Sequence, residues 1–365
     1  MSSDIQNSVI LVGGGHTHAL VLNALKDKPL INTSVTVINP GKTAPYSGML
    51  PGFVAGHYQR AELDIDLHQL SHDVGATLVD GKAVSIDTEK RLVYLEDGTN
   101  LPYNLASVDV GITSHMNDLP GFSDYAVPAK PLGNFASKWD EYRSAGGPKQ
   151  VVVIGGGIAG AELAMAMSFA LKANRPNVSV KILDRSQILS ASSVKTQKCI
   201  RQKLKANYVS VSEQVNVIKV TPNGVDLADG SSIAANFVVG AAGATPHAWL
   251  SNTGLNLYKG FVIVNEHLQT NMPDVFAVGD CAHMEFDPRP KAGVYAVRQA
   301  PVLLHNIRMA LSNAQLSSYK PQTDYLKLIS LGDKEAFGEK MGWGISGRLV
   351  WRLKNYIDQS FMNQF

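Results

Sequence analysis

Cysteine is nearly absent from this chain. The 365 residues hold two, Cys199 and Cys281. They lie far apart in sequence, so no disulfide framework is supported and a reducing, cytoplasmic setting is the default. A surplus of either charge is missing too. Lys and Arg number 33 against 31 Asp and Glu, a net +2 that provides no global field for nucleic acid. The polar N-terminus, MSSDIQNS, contains no apolar signal core. No unbroken membrane span occurs: the longest near-apolar stretch, Val151 to Leu171, is interrupted by four glycines and Glu162 and reads as strand, turn and helix. Low-complexity segments and short-period repeats are missing. His57, His68, His72 and His115 lack metal-ligand spacing and read as structural or exposed, so no metal is expected.

What is present is a globular composition, 45% apolar and 18% charged, in a length that suits two domains or more. One motif occurs twice at long range. Val9–Val12 is a β-branched run suited to a buried strand, Gly13-Gly14-Gly15 a glycine turn, and Ala19–Leu25 a helical pattern. Strand, turn and helix make the opening of a dinucleotide-binding βαβ unit, in which glycines admit a pyrophosphate to the helix N-terminus. This copy is incomplete. His18 stands where G-x-G-x-x-G requires its third glycine, and the next strand ends at Asn39 in place of an acid. A glycine turn that only packs a helix on a sheet is the plainer alternative. The second copy is complete, with Gly155, Gly157 and Gly160, then Asp184 about twenty residues on at the end of Val178–Leu183. Asp184 suits the ribose hydroxyls of NADH. Arg185 beside it could pair with a 2′-phosphate, so NADPH stays open.

Between and after these motifs, residues 40–52 form a Pro/Gly-rich loop holding Tyr46, Met49 and Leu50, either ordered against a ligand or covering core. Ala76–Val79, Ala83–Ile86 and Arg91–Leu95 read as a small antiparallel sheet, with Asp97-Gly98 a turn that Asp229-Gly230 repeats. Leu105–Gly111 and Phe237–Gly243 read as further strands. Late in the chain VFAVGDCA (275–282) ends a strand at Gly279 and presents Asp280.

Two glycine fingerprints followed by that segment resemble the flavoproteins with two dinucleotide-binding domains, and the order of motifs spans most of the chain. The nearest branches are type II NADH dehydrogenase and the oxidoreductase domain often fused to selenide, water dikinase. The latter is similar over GGGHTH (13–18), PYSGMLPGFVAGHY (45–58), residues 64–67, Asp109-Val110-Gly111 and residues 351–354, which makes His18 a branch feature. The resemblance implies an α/β fold of two Rossmann-like three-layer domains, the second inserted in the first: 5–114 with 243–322 for FAD, 115–242 for NAD(P)H, and a C-terminal helical cap over 323–365. It implies FAD pyrophosphate at Gly13, Gly15 and the amides of His16 and Thr17, the ribose at Asn39, and adenine at the Ala83 backbone. Pro45, Tyr46, Ser47 and Gly48 would line the isoalloxazine, Asp280 would hold the ribityl chain, and the helix beginning near Tyr295 would aim its N–H groups at the flavin. Gly111, Gly243 and Gly279 join the contact set. The family's redox-active cysteine pair is missing, which disfavours a thiol relay.

Three residues are candidates for chemistry. Glu162 resembles the fingerprint glutamate beside the nicotinamide, or is simply an acid in a helix first turn. Gln299, in Ala296-x-x-Gln299, resembles a quinone-site pattern, or lies on a solvated face. Lys291 faces either flavin or solvent. Tyr46 and Tyr295 could cover the ring faces or serve as amphipathic core. His16 could touch phosphate as a cation, although its backbone is the commoner contact in a tight turn. Lys195, Lys198 and Arg201 could lower the pKa of Cys199, although a bystander surface thiol is the commoner case. In Gly347–Phe365, Val350, Leu353, Ile357 and Phe361 share a face opposite Arg348, Arg352 and Lys354, which fits a peripheral helix on the inner face of a membrane, a homodimer contact or domain packing. The expected activity is transfer of electrons from NADH through FAD to a small acceptor, most simply a quinone. The alternatives are a flavin-binding regulatory or scaffold protein and an enzyme of selenium or sulfur metabolism.

Overall fold

The computed structural model describes residues 5–114, 116, 118–172 and 175–365. The chain opens with β1 (Asn7–Val12), α1 (His16–Leu25), β2 (Thr33–Asn39), β3 (Thr77–Asp80) and β4 (Leu105–Val108). It then leaves this sheet to build β5 (Ala126–Pro128), β6 (Lys149–Ile154), α2 (Ile158–Leu171), β7 (Val178–Leu183), β8 (Val209–Ser212) and β9 (Phe237–Gly240). It returns as β10 (Val275–Ala277), which pairs in parallel with β4. The result is two five-stranded sheets of parallel pairs, ordered β10-β4-β1-β2-β3 and β5-β9-β6-β7-β8. The outgoing and returning connections touch at an antiparallel bridge between Thr113 and Thr245.

Helices and loops cover both faces of a parallel sheet, so its strands are apolar throughout. Val9–Val12 and Val151–Ile154 are buried without alternation for that reason. Leu11, Leu22 and Phe276 are sealed in the first core, each contributing about 1.5–3 kcal/mol by burial. In the second core, the buried Trp139 donates its indole N–H to the Val54 carbonyl.

Each parallel sheet is accompanied by an antiparallel three-stranded layer, spanning residues 83–102 and 217–234. Asp97-Gly98 and Asp229-Gly230 make equivalent turns there, with Gly φ of +89° and +86°. One strand is reassigned. Thr77–Asp80 belongs to the parallel sheet as its edge, paired with β2, and not to the antiparallel layer. A strand this short carries no mark of which neighbour it will choose.

The chain then forms α3 (Gly293–Leu311), a three-stranded antiparallel sheet within 327–347, and α4 (Arg348–Met362). The C-terminal region holds a helix where one was expected and adds to it a three-stranded sheet that the sequence reading did not foresee. The inward face of α4 also differs from expectation. Val350, Lys354, Asp358 and Phe361 are buried, while Leu353 and Ile357 are 46% and 41% exposed. A Lys354–Asp358 ion pair of 2.6 Å occupies the inner face. A hydrophobic-period reading places those two residues outside, because it scores each charge singly and cannot see the partner.

Candidate cofactor and electron-transfer site

The first glycine turn wraps around a residue from another strand. Gly13 has φ of +93°, and a Cβ there would lie 2.4 Å from the Asp109 carbonyl oxygen. A Cβ on Gly15 would lie 2.3 Å from Asp109 Oδ1. Only glycine satisfies both approaches. His18, standing where the third glycine is expected, is fully buried and bridges the turn to the sheet. Its Nδ1 lies 2.7 Å from the Gly13 carbonyl oxygen and its Nε2 2.8 Å from Ser107 Oγ. A carbonyl only accepts, so Nδ1 carries the proton and the Ser107 hydroxyl donates to Nε2. Burial lowers the His18 pKa to about 4, which keeps the ring neutral. Asn39 holds the same turn: its Oδ1 accepts from Gly14 N–H at 3.0 Å and its amide nitrogen donates to the Gly41 carbonyl at 3.0 Å.

This turn forms the floor of a cavity of about 620 Å³, within the range of a cofactor pocket. Gly13, Gly15, His16 and Asn39 line one end, with Ala83 and Gly111 beside them. Pro45, Ser47, Asp280, Lys291 and Gly293 line the remainder. Asp280 therefore stands in the same cavity as the opening glycines. Ala292 caps α3 at the wall, so a 19-residue helix points its N-terminal dipole into the space.

Several candidate residues sit elsewhere than expected. Thr17 is buried below the cavity, its amide donating to Asp109 Oδ2 at 2.9 Å and its hydroxyl to the Ala296 carbonyl. The Tyr46 ring stacks on Phe361 at 4.4 Å and its hydroxyl reaches Asp358, so it braces α4 and does not line the cavity. The same ring fills the space a Cβ on Gly48 would need, 2.6 Å away. Tyr295 is buried edge-on to Tyr325, outside the cavity. Gly243, with φ of +72°, lies in the returning connection, and Gly279, φ +67°, packs on Asp109.

His16 does not offer a cation: burial drops its pKa to about 4, against the pull of Asp280. Its ring meets Tyr46 and Phe361 edge-on. Gln299 is neither solvated nor free. It is 1% exposed and its Oε1 accepts from Gly279 N–H at 2.7 Å. Its amide acts on the cavity through the backbone that presents Asp280. Gln299→Leu is expected to lower stability by about 1–3 kcal/mol, by leaving that N–H unpaired, and to loosen flavin retention. Chemical unfolding together with the flavin-to-protein absorbance ratio checks this. Lys291 does line the cavity, with its ammonium donating to the Ala282 carbonyl and lying 4.1 Å from the Phe261 ring centre.

Four charged residues of this cavity escaped the sequence reading. Arg60 and Lys82 line it while paired with Asp64 and Glu96. Lys130 reaches in from the segment after β5 and meets Asp280 at 3.1 Å. Asp109 lies beneath the glycine turn. A lysine before Pro131 and an aspartate after a strand carry no local signature of either place.

The second fingerprint is built as its glycines require. Gly155 has φ of +114°, and a Cβ there would lie 2.6 Å from the Ala242 nitrogen; one on Gly160 would lie 2.0 Å from the Gly155 carbonyl oxygen. Gly157 caps α2 with open space around it. Asp184 accepts from Gly156 N–H at 2.6 Å through Oδ2, while Oδ1 takes the Ser186 amide and hydroxyl at 2.8 Å. One lone-pair position of the four on a carboxylate is left. Arg185 is exposed beside it.

Glu162 follows the second glycine turn in α2, past its first turn, and faces the C-terminal sheet. Its Oε1 accepts from Ser330 N–H of the C-terminal sheet at 2.7 Å, and burial raises its pKa to about 7 despite Lys354 nearby. The cysteines are inert. Burial pushes Cys281 up to about 12 and raises Cys199 as well, so the lysines around Cys199 do not activate it. His68 and His72 are exposed, His57 is half-buried against Trp351, and His115 falls outside the described residues.

With the two turns and the shared cavity in view, comparison with known proteins is decisive. The family model described as pyridine nucleotide-disulphide oxidoreductase matches residues 7–300. The chain belongs to that family. It is accordingly an FAD-dependent NAD(P)H oxidoreductase. NADH dehydrogenase-like protein YutJ of Bacillus subtilis is 23% identical over 95% of this chain and 96% of its own length. Mouse ferroptosis suppressor protein 1 is 27% identical over 76% of this chain and 75% of its own. Among solved structures, the sulfide:quinone oxidoreductase of Aquifex aeolicus superposes with a TM-score of 0.78, at 17% identity, over 98% of this chain and 92% of that one. That likeness speaks to the fold. Among the described residues, no helix is long and apolar enough to cross a membrane.

Proposed function

We propose that this enzyme takes electrons from NADH and delivers them, by way of FAD, to a quinone. The observation that carries the reading is the wall beside the cavity. No pair of thiols stands there: Cys281 is buried, and Cys199 is half-buried with a raised pKa. His16 lines the cavity there, backed edge-on by Tyr46 and Phe361, a neutral aromatic wall suited to a flat, apolar acceptor. FAD, when bound, supplies the chemistry: it accepts a hydride from the nicotinamide and gives up two electrons. Gly13, Gly15, Asn39 and Ala83 would hold its nucleotide end and Asp280 its ribityl chain. The α3 N-terminus would stabilise negative charge on the ring. Gly155, Gly157, Gly160 and Asp184 would hold the NADH. The Lys354–Asp358 ion pair stands behind the aromatic wall, with Asp358 accepting from the Tyr46 hydroxyl. Anaerobic mixing tests the reading. The flavin absorbance should bleach with NADH and return with a soluble quinone; bleaching without return would exclude the acceptor, and no bleaching would leave a cofactor-binding scaffold.

Asp184→Ala should raise the Kd for NADH about tenfold or more, the value of a lost charge-assisted hydrogen bond, and leave FAD content unchanged. Equal loss of both would mean the second nucleotide is misplaced. Binding titrations followed by flavin absorbance settle it.

The outer face of α4 fits supply of the acceptor from a membrane. Leu349, Leu353, Tyr356 and Ile357 are exposed, with Trp343 and Ile345 on the adjoining strand and Arg348 and Arg352 beside them. An apolar face flanked by arginines suits an anionic lipid surface. Leu349→Glu with Leu353→Glu should abolish co-sedimentation with anionic vesicles. Unchanged sedimentation, or a change of oligomeric state instead, would assign the face to another copy of the chain.

A further inference from the structure

The cavity that is to take a dianionic diphosphate already contains a buried acid with no cation of its own. Asp109 is 3% exposed. Its Oδ2 accepts the amides of Thr17 and His18, at 2.9 and 3.2 Å, so it occupies the N-terminus of α1 where a phosphate would otherwise find free N–H groups. Gly15 and Gly279 close on it from two sides, each placed so that a Cβ would come within 2.3 Å of Oδ1. The carboxylate is thus held in a fitted cradle made by both ends of the flavin motif. The charged groups around it do not balance it. Lys130 is paired with Asp280, Arg60 and Lys82 of the same cavity with Asp64 and Glu96, Lys291 is held at the Ala282 carbonyl, and the neighbouring His16, His18 and Cys281 are neutral. Asp280 adds a like charge.

We propose that Asp109 binds the cofactor's diphosphate as a neutral carboxylic acid, its Oδ1–H donating into the cavity, so that loading of FAD takes up one proton. This rests on the reading of the cavity as the FAD site. The physical reason is charge. Two acidic side chains and a diphosphate in one enclosed space repel strongly, and the least costly relief is to neutralise the one acid that lacks a cation. Burial already lifts the Asp109 pKa to about 7, opposed by its two amide hydrogen bonds and aided by Asp280. An added dianion raises it further. The sign follows from linkage. The loaded form binds the proton more tightly, so affinity is full at low pH and declines as pH rises past the pKa of the unloaded form. The diphosphate itself does not titrate in this range.

The experiment dilutes purified holoprotein to equilibrium from pH 6 to pH 9 and reads released flavin by its fluorescence. The wild type should lose FAD affinity by about tenfold per pH unit over the upper part of the range, the slope for one proton. Asp109→Asn, which keeps the acceptor for the two amides and adds a neutral donor, should hold FAD with a flat profile near the wild type's low-pH affinity. Asp280→Asn should shift affinity while keeping a slope. At pH 8 the infrared difference between wild-type and Asp109→Asn holoproteins should contain the carbonyl stretch of a protonated carboxylic acid, and this readout needs no release of cofactor. A flat wild-type profile, an equal slope in Asp109→Asn, or a carboxylate signal in place of the acid would overturn the proposal and leave FAD binding intact. Protein that holds no FAD at any pH would remove the cavity assignment and this proposal together.

Discussion

Gly13→Ala is expected to lower stability by about 3–5 kcal/mol and to yield protein without flavin. Two independent penalties coincide there. The backbone has φ of +93°, outside even the left-handed region that other residues visit at moderate cost. The new Cβ would also lie 2.4 Å from the Asp109 carbonyl oxygen, a backbone atom tied through Gly15 N–H and the strand β4. Neither partner can give way without opening the β1–β4 ladder. Gly98→Ala, outside the cavity lining, is the control: its φ is +89° and nothing lies within 4 Å of its Cβ position. It should cost about 1–2 kcal/mol, the positive-φ penalty alone, and keep its flavin. Urea unfolding and the visible flavin spectrum distinguish the two. Comparable losses in both variants would show that the close approach to Asp109 is not what demands glycine.

Lys354→Met is the second large effect. Lys354 and Asp358 are 10% and 6% exposed in their side chains and 2.6 Å apart. Removing the ammonium leaves a buried carboxylate with only the Tyr46 hydroxyl, at 3.2 Å, to satisfy it. Such an orphaned charge costs about 3–5 kcal/mol, whereas removing both partners in favour of apolar residues is often neutral. Lys354→Met with Asp358→Leu should therefore recover most of the stability lost by the single variant. The double variant should still differ in one respect. Lys354 also donates to the Gly48 carbonyl at 2.6 Å, and that hydrogen bond anchors the loop beside the cavity. Quinone turnover should stay reduced while stability returns. A four-member cycle, with unfolding and electron transfer measured on each member, separates the roles. Additive single losses would mean that the pair is not energetically coupled.

The parts of the fold legible in advance were those set by local physics. Two glycine turns, the buried strands before them and the acid after Val178–Leu183 follow from φ preference, helix dipole and apolar runs, each contained within about thirty residues. The missing third glycine is a mismatch to the pattern and, by resemblance, a branch feature whose role has no local reading. It is a substitution of mechanism: His18 bridges Gly13 and Ser107 by hydrogen bonds where a glycine would permit close packing. Gln299 fitted a ligand-facing pattern by spacing alone, yet its amide is committed to Gly279. The inner face of α4 was misread because Lys354 and Asp358 are individually polar and jointly buried.

By itself, the sequence determined that two glycine turns of the α/β nucleotide-binding type exist and that the two cysteines lie far apart along the chain. The resemblance already put Asp280 at the first cradle; only the tertiary structure added the other distant side chains, Asp109 from beneath and Lys130 from the inserted sheet. Backbone turns and dipoles depend on neighbours along the chain, whereas the state of a buried charge depends on whatever the fold brings within a few ångströms, and that has no local pattern to read.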